Sequence, residues 1–514
     1  MLSKVYTAGV DGIDGYIVTV ECDISDGLSR FDVVGLPDAS VKEARERIRA
    51  AVCNAGFEFS EDTVVINMAP ASRRKEGTSY DLAMLLGVLR SSQQISSDSA
   101  FDKRLFIGEL SLSGSLRPVR GVLSMCIAAK EAGFCEIYVP KGNAPEASVV
   151  EGIDVYAVDS ICELVEHLCG KNTLSVTKFD RDALMASALD TSLDFADVKG
   201  QHSARRAVEI AAAGSHHILL VGSPGVGKSM IAKRLGSILP PLNFEESLET
   251  TRIYSVSGML EEGQSLIVNR PFRSPHHTAS TASLAGGGKV PMPGEISLSH
   301  NGVLFLDELP EFNKAVTEVL RQPLEDSVIT ISRASGRYTY PCSFMLCAAM
   351  NPCKCGYYGH PERKCTCKET DIRAYLSKLS GPLLDRIDIQ LEVPPLSYSE
   401  LSDKKQGESS AVIRERVIAA RKFASERFGE EKIRANSQMT PAHIRRFCHM
   451  TDDADKMMRS AFESLNMSAR GHDRILRVSR TIADLEQSEL IRSDHIAEAI
   501  QLRSLDRKYW SKMK

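Results

Sequence analysis

Residues Ile218 to Ser229 read ILLVGSPGVGKS. Four apolar residues run straight into a glycine-rich turn, and a helix-like stretch from Met230 to Ile238 follows. A strand, a loop of the form G-x-x-x-x-G-K-[ST] and a helix, in that order, make a phosphate-binding loop. The residue types explain the chemistry. Gly222, Gly225 and Gly227 carry no Cβ, so the backbone through Ser223, Pro224 and Val226 can close around an anion. The helix that follows turns its positive end toward the phosphates. Lys228 is expected to reach the β- and γ-phosphates, and Ser229 to ligate Mg²⁺.

The second half of such a site lies downstream. Residues 303–308 read VLFLDE, four apolar residues followed by two carboxylates. A buried strand that ends in acids puts charge at the sheet edge, where a metal–phosphate group can sit. Asp307 is expected to hold Mg²⁺ through water, and Glu308 to polarise the attacking water as general base. A third strand, Phe344–Ala349, ends in Met350-Asn351-Pro352. Asn351 could hydrogen-bond the γ-phosphate or the attacking water. By residue type alone it reads equally well as a turn asparagine before proline.

The chain has 514 residues, which at roughly 100–200 residues each suggests about three domains. Lys+Arg 63 against Asp+Glu 67 leaves a net charge of −4, which excludes a strongly basic nucleic-acid binder but not a local basic patch. Aromatics are only 6% with one tryptophan, which argues against a surface of many stacking platforms. No apolar run approaches the roughly 20 residues of a membrane span. The N-terminus lacks the unbroken apolar core of a signal peptide, so the expected compartment is the cytoplasm.

Patterning divides the chain into blocks. Residues 1–168 read as α+β, with strands at Gly15–Val20, Phe31–Val34, Thr63–Met68, Leu105–Ile107 and Ile137–Val139 and a helix over Val41–Ala55. Residues 169–192 read as a linker, and 193–395 as the α/β nucleotide core. Residues 396–514 are almost wholly helical in pattern, with Thr440 as an N-cap and Pro441 at the first helical position.

The 13 cysteines are scattered except in NPCKCGYYGHPERKCTC, where two C-x-C pairs are separated by nine residues. An odd count in a long chain argues for reduced thiols rather than a disulfide scaffold. Cys353, Cys355, Cys365 and Cys367 are expected to bind one structural Zn²⁺, since four soft thiolates suit a tetrahedral ion. The pairs are tighter than the usual C-x₂₋₄-C. His360 stands as an alternative ligand, and Lys354, Arg363, Lys364 and Lys368 would offset the thiolate charge.

These residues resemble the AAA+ ATPases, and more narrowly the magnesium-chelatase-like ComM/YifB family. The resemblance covers essentially the whole chain. It rests on FDVVGLPDASVKEARERIRAA, INMAPASRRKEGTSYDLA, GSPGVGKS, RPFRSPHHTAS, GVLFLDELPEF, AAMNPCKCGYYG, SGPLLDRIDI and SARGHDRILRVSRTIADLE. It implies a multidomain α/β protein: an N-terminal Lon-protease-like α+β domain, an AAA+ P-loop core with the cysteine-rich insertion 353–367, and a C-terminal helical lid. It implies ATP and Mg²⁺ as cofactors, Asn351 as sensor 1 and Arg386 as an arginine finger acting on a neighbouring subunit. Arg470 matches the sensor 2 position, with Arg474 and Arg477 as less favoured alternatives. Hydrolysis that uses a neighbour's arginine depends on assembly, and the resemblance implies a ring, a homo-hexamer.

The family's activity implies an ATP-driven motor on single-stranded and branched DNA, performing branch migration in recombination during DNA uptake. The alternatives are a chelatase-like ATPase that remodels a protein partner and, less favoured, a Lon-like protease. Ser79 falls at the Lon nucleophile position, but the lysine's place falls on Leu123, which cannot take a proton. Two insertions are candidate DNA contacts. One is the glycine-rich loop Ser283–Pro291 with Lys289. The other is a β-hairpin over 328–338 with Arg333 and Arg337 near its tip and Gly336 in its turn, gripping phosphates without reading sequence. His276 and His277 carry no assigned role.

Overall fold

Apolar residues at every second position of Asp14–Ser25 bury Tyr16, Val18, Val20 and Cys22 on one face, the period a half-covered strand requires. In the computed structural model this strand organises the first sheet. The structure describes residues 2–95, 101–186, 193–288, 291–333, 336–402, 407–503, 505 and 509–510. They fall into two compact units. One comprises 1–187 with 243–268, the other 188–242 with 269–514.

The first unit is built on a seven-stranded mixed sheet. Its strands are β1 (Ser3–Asp11), β2 (Asp14–Ser25), β3 (Arg30–Val34), β4 (Thr63–Ala69), β5 (Arg104–Phe106), β6 (Glu136–Pro140) and β7 (Asp154–Val158). Their spatial order is β3-β4-β2-β1-β5-β6-β7. The pairs β1–β2 and β2–β4 are antiparallel, and the remaining pairs are parallel. Helices Ala44–Asn54 and Asp81–Ser91 cover one face, and Val122–Glu131 covers the other. The five expected strands are all present. The helix expected over Val41–Ala55 is broken into Ala39–Lys42 and Ala44–Asn54. There the Glu46 N–H bonds back only three residues, to the Glu43 carbonyl, which tightens the turn.

Asn243–Val268, which the sequence reading places inside the 193–395 block, packs with this first unit. Its helix Phe244–Ser257 opens with an Asn243/Glu246 capping box and ends at Gly258. Leu248 enters the core beside Val122–Glu131, Arg252 pairs with Asp14 at 2.8 Å, and the Ser255 hydroxyl donates to Glu146 at 2.6 Å. Part of the expected linker also belongs here. The Thr177 N–H bonds to the Val155 carbonyl at 2.8 Å, and Arg181–Ala186 is helical.

The second unit holds a five-stranded, wholly parallel sheet. The chain contributes β8 (Ile218–Val221), β9 (Phe272–Arg273), β10 (Val303–Leu306), the hairpin strands β11 (Val328–Arg333) and β12 (Gly336–Pro341), then β13 (Met345–Met350) and β14 (Ile389–Glu392). The sheet order is β9-β10-β13-β8-β14. β8, β10 and β13 are buried at every position, as a sheet covered on both faces demands. The C-terminal helices Ser410–Phe428, Pro441–Phe447, Asp452–Leu465, Ala469–Leu485 and Ser493–Gln501 follow. Thr440 caps the second of these with Pro441 at its first position, as expected.

Candidate nucleotide site

Three neighbouring strands deliver the expected site residues to one edge. Val221 lies opposite Met350, so Gly222 and Asn351 leave the sheet side by side. Leu306 lies opposite Ala348, which brings Asp307 and Glu308 to the same edge. Ligands in parallel sheets bind at this carboxyl edge, where the chain turns outward and backbone groups are free.

The phosphate loop bends into the helix Lys228–Ile238 through Gly227 at φ +91°, a left-handed conformation that a Cβ would strain. That helix has no side-chain N-cap and no acid in its first turn. Its first N–H groups are therefore open to an anion. The Lys228 ammonium donates to the Gly222 carbonyl at 2.7 Å, the Ser223 carbonyl at 2.9 Å and Asn351 Oδ1 at 3.1 Å. These three oxygens occupy the donors that phosphate oxygens would take. Burial lowers the Lys228 pKa, and the charges of Asp307 and Glu308 oppose that. The Ser229 hydroxyl donates to Asp307 Oδ2 at 2.6 Å, so the hydroxyl and carboxylate expected around Mg²⁺ already meet. These donors fit a triphosphate and a hard divalent cation.

Glu308 takes φ +51° and is exposed. Its N–H donates to Asp307 Oδ1 at 3.0 Å. His277 Nδ1 lies 3.6 Å from its carboxylate. Sequence reading missed this neighbour, because adjacent histidines carry no signal of what they face.

Arg386 spends its donors elsewhere, on the Pro382 carbonyl at 2.7 Å and on Glu325. Glu325 is held below the usual carboxylate range, first by its hydrogen bond to Arg386 and further by the charge of Arg470. Arg386 thus meets Glu325 directly, whereas Arg470 acts on it through its charge. Arg474 and Arg477 differ from Arg470 in setting. Arg474 is buried, lies 3.8 Å from Asp385, and is pushed down to about 10 by burial. Arg477 donates to the Ser437 carbonyl at 3.1 Å.

The four clustered cysteines converge, with Sγ atoms all within 4.8 Å of one another. Three of the separations are 3.4, 3.5 and 3.7 Å. A tetrahedron of sulfurs about 2.3 Å from a zinc ion has edges of about 3.8 Å, so the donor set fits. Burial raises the Cys353 thiol, whereas at Cys355 the N–H groups of Tyr357 and Thr366 outweigh burial and bring it down. His360 turns its Nδ1 to the Glu362 and Arg363 N–H groups instead.

The expected hairpin forms, with Arg333 opposite Gly336 and Ser332 opposite Arg337. Gly336 opens the second strand rather than sitting in the turn. A Cβ on Gly287 would lie 3.2 Å from Arg333 Nη2, and Tyr340 donates to the Pro291 carbonyl at 2.7 Å. The two candidate DNA-contacting insertions are therefore neighbours. Lys289 itself lies outside the described residues. In the first unit Ser79 and Leu123 are both buried. Lys75, also buried, gives its ammonium to the Pro70 carbonyl.

No helix of the described residues is long and apolar enough to cross a membrane. The family of magnesium chelatase subunit ChlI matches residues 194–401, with further ChlI matches at 20–143 and, for its C-terminal part, 407–503. YifB of Escherichia coli is 42% identical over 507 residues, covering 98% of each chain. Competence protein ComM of Haemophilus influenzae is 40% identical over 512 residues, again 98% of each. Lon protease of Roseiflexus castenholzii is 25% identical over 175 residues, 32% of this chain and 21% of that protein. Sheet order, site geometry and these full-length matches agree, and the chain belongs to the magnesium-chelatase-like ComM/YifB family of AAA+ proteins.

Proposed function

We propose that this protein is a ring-forming ATPase that moves DNA, acting as a branch-migration helicase on single-stranded and branched substrates. The observation that carries the ATPase is the convergence of Lys228 with Asn351 and of Ser229 with Asp307 at one sheet edge. Bound ATP with Mg²⁺ would supply a phosphoryl group open to attack by water. Lys228 and the helix N-terminus bind the phosphates, Ser229 and Asp307 hold the cation, and Glu308 takes the proton from water. Arg386 is read as the finger offered to a neighbour's γ-phosphate, and Arg470 as sensor 2. What supports DNA as substrate is full-length similarity to a competence protein and the paired insertions around Arg333. Four converging cysteines support a structural zinc, which needs no open position and hence no catalytic part. The first unit is read as a Lon-type domain without its dyad, serving in docking or in guiding nucleic acid.

The test is the ATPase rate of the full chain with and without single-stranded and branched DNA. Lys228→Ala should lose nucleotide binding, and Glu308→Gln should bind without turning over. Normal turnover in Glu308→Gln would overturn the assignment of the base. The chelatase matches favour a second reading, remodelling of a protein partner. An active ATPase indifferent to DNA would select it.

A further inference from the structure

His276 and His277 lie in the loop that leaves β9. Because β9 runs parallel beside β10, Phe272 opposite Val303, that loop emerges at the edge where Glu308 sits. His276 is exposed but is tied within its own loop. Its Nδ1 lies 2.9 Å from Thr278 Oγ1 and accepts from the Thr278 N–H at 3.4 Å, and its carbonyl accepts from Ala279 at 2.9 Å. His277 packs against that ring at a tilt of 34°, with centroids 4.1 Å apart, and meets Phe312 edge to face at 6.4 Å. So clamped, the imidazole presents Nδ1 to Glu308 Oε2 at 3.6 Å.

Glu308 needs such a neighbour. Its backbone is pinned, with the N–H on Asp307 and the carbonyl accepting from Glu311 at 2.7 Å. Its side chain is 54% exposed. A general base works only within hydrogen-bond reach of the water it activates, and each unrestrained torsion dilutes that geometry. The 3.6 Å gap is just beyond hydrogen-bond length, and one small adjustment of an exposed glutamate closes it.

We propose that His277 is the positioning residue for Glu308: its clamped imidazole donates to the carboxylate and holds it toward the attacking water. This rests on the reading of Glu308 as the hydrolytic base. The loop is at the surface, so substitutions there should leave the fold intact. Wild type, His277→Ala, His277→Asn and Glu308→Gln, all full chains, are compared by ATP affinity and by steady-state kcat and KM without DNA. His277→Ala should lower kcat about tenfold or more, less than loss of the base itself, while affinity and KM stay within about twofold. His277→Asn, whose amide N–H occupies the Nδ1 position, should recover most of the loss. An unchanged or raised kcat in His277→Ala, or equal losses in both variants, would overturn the proposal. Normal turnover in Glu308→Gln, or no turnover in wild type, would instead bring down the reading on which it rests.

Discussion

A Cβ on Gly356 would lie 2.4 Å from Cδ of Pro224, so the cysteine loop is seated directly on the phosphate loop. Gly356 also has φ +83°, a conformation that strains any residue with a Cβ. Gly356→Ala should push the two loops apart and weaken ATP binding by about tenfold, an overpacking penalty of about 1–2 kcal/mol. Titration with a fluorescent ATP analogue checks this. An unchanged affinity would mean that the two loops are mechanically independent.

Zinc should be present at about one ion per chain in protein purified without added metal or chelator. The double variant Cys365→Ser, Cys367→Ser should lose it and, through the Gly356–Pro224 contact, bind ATP more weakly. Elemental analysis decides the first point. A wild-type content below about a tenth of an ion per chain would reject the site under the tight binding expected of four thiolates.

Arg386 should act on a neighbour. Arg386→Ala is expected to keep ATP affinity and lose about 10³-fold in hydrolysis. Mixing it with Lys228→Ala should restore part of the activity, since an intact phosphate loop can then receive an intact arginine. Rings proven to be mixed but inactive would count against this role.

The hairpin prediction concerns charge. Neutral replacement of Arg333 and Arg337 should lessen DNA stimulation of the ATPase and leave the basal rate alone. A phosphate contact weakens with salt and ignores base sequence. A salt-independent or sequence-selective stimulation would point to another surface.

Stability should carry a signature of His217. Burial brings this imidazole down to about 4, against about 6.5 for an unfolded histidine. Its Nδ1 accepts from the Leu346 N–H at 3.0 Å, a bond that protonation would break. Between those two values the unfolded chain binds the proton and the folded chain does not. Stability is therefore full above about pH 6.5 and is lost as pH falls toward 4, by up to about 3 kcal/mol. Denaturant midpoints across that window should fall more steeply for wild type than for His217→Asn, whose amide oxygen keeps the acceptor without the proton. Parallel curves would exclude the assignment.

Local chemistry was legible in the sequence because it is written in neighbouring residues. The strand–turn–helix of Ile218–Ile238, the acidic end of β10, the hairpin around Arg333, the Thr440 cap and the paired cysteines each depend on spacings of a few residues. Only the tertiary structure decided what those pieces meet. Lys228 reaches Asn351 across 123 residues because parallel register sets Val221 opposite Met350. His277 faces Glu308 because β9 lies beside β10, and nothing in two adjacent histidines announces it. Asn243–Val268 departs for the first unit because its buried partners, Glu146 and the face of Val122–Glu131, are there rather than near it in sequence. A pattern of apolar residues states that a face must be covered. Which partner covers it depends on packing across the whole chain, and that is a property of the fold.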